Sequence, residues 1–125
     1  MKDTTAHVHI ICQDWTRTLQ FYKGKILFYK KRLEEIASKN TEEDILKQVE
    51  HFENEFKIMN NNLDELLHDV NVKQDALMKG ALEKPNFINV KMVETDGDLE
   101  ALIDFTEIEF AKTKKDFYRF LSNNL

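Results

Sequence analysis

The amino-acid sequence predicts an all-α protein, an elongated antiparallel bundle of three long helices. Over three long stretches, apolar residues recur at alternating spacings of four and three. That pattern returns each residue to one face of a slightly underwound, coiled-coil-like helix. Gly occurs three times and Pro once in 125 residues, so the residues that interrupt helices are scarce and the elements should be long. Charged residues make up 33% of the chain and hydrophobic ones 42%, a mix that suits amphipathic helices rather than disorder. A chain of 125 residues is expected to form a single domain, residues 1–125, around one core.

The first stripe is Val8, Cys12, Trp15, Leu19, Tyr22, Ile26, Tyr29, Leu33 and Ile36, predicting a helix from about Thr5 to about Ser38. The segment His7-Val8-His9-Ile10-Ile11 alternates like a strand. Helix is nonetheless expected there, because Val8 and Cys12 stay in phase with the rest of the stripe and an isolated strand pair is marginally stable. Lys39-Asn40 should end this helix, and Thr41 is placed to cap the next, whose acids Glu42, Glu43 and Asp44 suit the positive end of a helix dipole. So short a connection folds the two helices into an antiparallel hairpin.

The second stripe runs Ile45, Val49, Phe52, Phe56, Met59, Leu63, Leu66, Val70, Lys73 and Leu77, with Lys73 alone out of character. Its helix is expected from about Glu42 to Lys79, with Gly80 as its stop. The run Asn60-Asn61-Asn62 lies off the stripe and should not break it. The third stripe is Leu99, Ile103, Thr106, Phe110, Thr113, Phe117 and Phe120, opened by a turn at Asp96-Gly97-Asp98. Acids come early in this segment and Lys112, Lys114, Lys115 and Arg119 late, an order that complements the dipole. On this reading the third helix would be only roughly 37 Å long, against roughly 50 and 57 Å for the others. The connector 81–97 is therefore expected to supply a short fourth helix or an extended strap that covers the remaining end.

Several function classes lack support. The net charge of −5 disfavours nucleic acid as a partner. The basic cluster Lys23, Lys25, Lys30, Lys31 and Arg32 is better matched internally: residues Asp14 to Lys39 carry +4 and Asn40 to Lys79 carry −6, so the hairpin's arms can pair along their seam. No segment approaches the ~18 consecutive apolar residues of a membrane span, and none resembles a signal peptide. With Cys12 the single cysteine, a reducing, cytoplasmic setting is expected.

Catalytic chemistry has little to stand on. Cys12 falls on the apolar stripe, Ser38 and Ser122 sit near helix ends, and Gly24, Gly80 and Gly97 are isolated, so neither a nucleophile turn nor a phosphate-cradling loop is present. We expect no enzyme activity, no cofactor and no metal site. Glu65-Leu66-Leu67-His68 has the Glu-x-x-His spacing of di-iron bundles, but as one copy that points away from the core. His51 is likewise off the stripe. His7 and His9 could meet Glu94, Asp96 and Asp98 at the bundle end and hold an ion. Residues two apart on a helix do not face the same way, however.

The remaining feature is apolar excess on the first helix. Phe21, Leu27 and Phe28 lie outside its stripe and make the face wider than one neighbour requires. Either both other helices contact this broad face, or it is a dimer seam or apolar ligand groove. The leading expectation is a non-enzymatic interaction or scaffold protein that self-associates as a homodimer, or binds another protein, through these residues. The alternative is a ligand- or metal-binding bundle.

Overall fold

The structure is a computed structural model, which describes the backbone of residues 2–83 and 90–124 and the side chains of residues 6–79 and 98–124. It contains three helices, α1 (Lys2–Lys39), α2 (Glu43–Glu83) and α3 (Val90–Asn124), and no strand among the described residues. The all-α expectation holds. The strand-like segment His7–Ile11 is helical, and α2 passes through Asn60-Asn61-Asn62 without a break.

Every residue of the three stripes is buried or half-buried, from Val8 to Ile36, from Ile45 to Leu77 and from Leu99 to Phe120. The helices form because each carries an in-phase apolar face that only its neighbours can cover. The short 40–42 connection turns α1 back against α2. Asn40 Nδ2 and Ser38 Oγ donate to the carbonyls of Ile36 and Glu35, each at 2.8 Å, so these last-turn carbonyls of α1 are satisfied. The cap of α2 falls one residue later than expected. It is the carbonyl of Glu42, not Thr41, that accepts the first helical bond, from the Leu46 amide at 3.1 Å.

Two boundaries differ from the sequence expectation. Gly80 does not stop α2, which continues to Glu83, and Asp96-Gly97-Asp98 is not a turn but lies inside α3. Neither glycine adopts a positive φ. A helical glycine costs only ~1 kcal/mol relative to alanine, which the neighbouring helical residues offset. At 35 residues α3 is about 53 Å long at 1.5 Å per residue, so the shortfall that called for a covering strap disappears. Where its backbone is described, the 81–97 connector extends α2 and α3 instead of forming a fourth helix. Its central part, residues 84–89 with Pro85, Phe87 and Ile88, lies outside the described residues.

Ring contacts set the order of the bundle. Tyr22 stacks on Phe110 at 4.3 Å and Tyr29 meets Phe117 at 5.0 Å, so α3 runs parallel to α1. Phe52 meets Phe120 at 5.2 Å and Phe56 meets Phe117 at 5.2 Å, so it runs antiparallel to α2. Tyr29, 1% exposed, sits at the middle of this aromatic cluster. Tyr29 also meets Phe56 at 5.7 Å between α1 and α2, and these two helices pack most closely. α3 stands further off. Its core positions run from Leu99 and Ile103 to Phe110, Phe117 and Phe120.

Candidate functional site

The outer face of α1 carries Phe21, Leu27 and Phe28 at 58%, 57% and 50% exposure. Neither α2 nor α3 has moved to cover them, so the broad-face alternative of a wide intrachain core does not describe this molecule. Phe21 and Phe28 are seven residues apart, hence on one side of α1 about 10 Å from each other. Leu27 faces outward beside them. Lys25 lies over the Phe21 ring at 5.5 Å and Arg32 over the Phe28 ring at 5.1 Å. Each such pair contributes ~0.5–1 kcal/mol at an exposed site and fixes the cation beside the ring. Phe28 also borders a shallow depression against Tyr118 and Leu121 of α3. The face is thus aromatic, basic and held in place.

A second surface was not anticipated. Between α2 and α3 runs an open groove of about 540 Å³. Ile58, Leu102 and Phe105 line it and are 60%, 52% and 60% exposed. Glu55, Glu65, Asp69 and Glu109 form its polar edge. Towards the Leu99 end it continues past Val72, Lys73 and Asp98. The test that singles out Phe28, an apolar residue off the stripe, would also have singled out Ile58, Val72, Leu102, Phe105 and Ile108.

The histidines are placed separately. His9 is half-buried with Nδ1 2.9 Å from the Gln74 side-chain nitrogen, while His7 is exposed. Asp98 is exposed, and the side chains of Glu94 and Asp96 lie outside the described residues. His51 pairs with Glu55 at 3.3 Å on the surface, and His68 is exposed one turn from Glu65, which edges the groove. Among the described residues no three His, Cys, Asp or Glu side chains are grouped to hold a metal ion. Of the seam charges, Lys23 pairs with Asp64 across α1 and α2, whereas Arg32–Glu35 and Glu43–Lys47 stay within one helix.

Burial governs the titrating groups. It pushes the Cys12 thiol up, only partly opposed by the Lys73 ammonium, so the thiol is held in its less nucleophilic, protonated form. Burial lowers Lys73 on the same grounds. Tyr29 is raised by burial and by its hydroxyl's bond to Tyr118 Oη at 3.3 Å. Tyr22 is raised by burial and then by Glu107. Cys12 and Tyr22 belong to the core, whereas Tyr29 also borders the depression beside Phe28 and Lys73 the Leu99 end of the groove.

No helix of the described residues is long and apolar enough to cross a membrane. Comparison with protein-family models, curated proteins and solved structures finds no match to this chain.

Proposed function

We propose that this protein is a non-enzymatic interaction module that self-associates through the outer face of α1. The observation that carries the reading is the exposure of Phe21, Leu27 and Phe28 on a helix whose own stripe is buried or half-buried. Aromatic residues with adjoining arginine or lysine are the groups that anchor protein interfaces, since they bury large area at small entropic cost. A reducing, cytoplasmic setting goes with this reading, because Cys12 is a free, buried thiol.

Sedimentation tests it. The wild-type chain should associate in a concentration-dependent manner, and Phe28→Glu should give a helical monomer, since a half-exposed ring contributes little to the core. A wild-type chain that stays monomeric at high micromolar concentration removes the proposal.

A second reading, a binder of a small apolar ligand, is favoured by the α2/α3 groove, whose volume of about 540 Å³ falls within the range of ligand sites. An apolar fluorescent probe that binds one per chain and is displaced by no second copy of the protein would favour it.

A further inference from the structure

We propose that the counterpart of the α1 face is the α2/α3 groove of another copy, so that the chain assembles head to tail rather than about a two-fold axis. This deepens the self-association reading and rests on it. The first ground is charge. Between Trp15 and Leu33 the sequence holds six cations and no acid; Lys25 is fixed over the Phe21 ring, and Arg32, over the Phe28 ring, also pairs with Glu35 of its own helix. The groove presents the reverse: over a floor that includes Met59 and Leu66, its walls carry exposed Ile58, Leu102 and Phe105 interleaved with Glu55, Glu65, Asp69 and Glu109. Pairing α1 with α1 would set cations against cations, and pairing groove with groove would set acids against acids. Cross-pairing alone neutralises both rims while it buries both apolar strips.

The second ground is geometric. The groove's α2 edge from Glu55 to Asp69 spans about 21 Å, and the α1 strip from Phe21 to Arg32 about 16 Å. One helix face therefore fits lengthwise within the groove. No α1 residue lines the groove, which lies across the bundle from the exposed side of α1. A chain cannot seat its own face there. Each copy then offers one face and one groove on different sides, the condition for a heterologous contact that closes as a ring or propagates as a polar chain.

Mixing two singly blocked chains decides it. Phe28→Glu spoils the face and leaves the groove, while Phe105→Lys spoils the groove and leaves the face. Each alone should associate at least about tenfold more weakly than wild type, as loss of an interface anchor does. Mixed in equal amounts, they should form a capped species of one copy of each, because a single intact face and a single intact groove remain. Circular dichroism checks that both are folded. If either loses its helical spectrum, the rim variants Lys31→Glu and Glu65→Lys carry the same mixing test on exposed positions. Wild-type association that Phe105→Lys leaves unchanged overturns head-to-tail docking but spares self-association. So does a mixture in which no heterodimer forms. A monomeric wild type overturns both.

Discussion

At the scale of single residues, the chemistry of the chain is mostly core chemistry. Tyr29 is 1% exposed and touches rings of both other helices, yet it keeps a hydroxyl that finds Tyr118. Tyr29→Phe should cost about 0.5–1.5 kcal/mol in denaturant unfolding, the net worth of one such bond. Its pH signature has a definite sign. Tyr29, Tyr22 and Cys12 all titrate above their ordinary values in the fold. The stability they contribute is complete below those ordinary values and is lost as pH rises through the folded ones. Lys73 runs the opposite way: its folded value is lowered, so the cost of burying its charge is relieved as pH rises towards 10.5. Between pH 9.0 and 10.0 the thiol and Lys73 oppose each other, and above 10.0, the ordinary value of both tyrosines, melting temperature should fall. Tyr29→Phe should flatten that fall, and an unchanged slope would show that Tyr29 does not titrate with unfolding. Phe56, also 1% exposed, should cost about 3–5 kcal/mol on change to alanine, the range for deleting a buried aromatic side chain.

At the scale of elements, helix formation here is governed by packing more than by local preference. Gly24 lies in the middle of α1, and a Cβ built there meets nothing within 4 Å. Gly24→Ala should therefore stabilise the protein by roughly 0.5–1 kcal/mol, by removing the entropic cost of a helical glycine. Thermal unfolding checks this, and a loss of stability would mean that α1 bends at Gly24 for a reason its open surroundings do not show. Much of each element was legible in the residues themselves. The stripe of α1 from Val8 to Ile36, the continuity of α2 through its asparagines and the burial of Phe110 and Phe117 are all consequences of spacing. The ends were less legible. Gly80 and Gly97 have the residue type of a stop, but whether a helix stops depends on what lies beside it, and a penalty of ~1 kcal/mol is easily offset.

At the scale of the whole molecule, the bundle is a poor container for its own apolar surface. Long helices in a bundle only three wide leave flanks that the described residues do not cover, and Phe21, Phe28, Ile58 and Phe105 lie on those flanks. If association joins a basic face to an acidic groove, it should weaken with salt. Raising ionic strength from about 0.15 M to about 1 M shortens the screening length from ~8 Å to ~3 Å. Sedimentation should then report a smaller species at high salt. Association that strengthens instead would point to a seam held by apolar burial alone, since excluded salts favour burial.

The sequence by itself determined the all-α class, the phase of each helix and nearly the whole core, because a helical period is a local property that each stripe declares residue by residue. It also singled out Phe21, Leu27 and Phe28 as surplus to the stripe. Tertiary structure alone decided that they stay uncovered, that α2 and α3 run through their glycines, and that α3 stands off from its neighbours and leaves a groove beside Ile58 and Phe105. Those outcomes depend on the distance between helix axes. That distance is set jointly by side chains far apart in the chain, and no single stretch contains it.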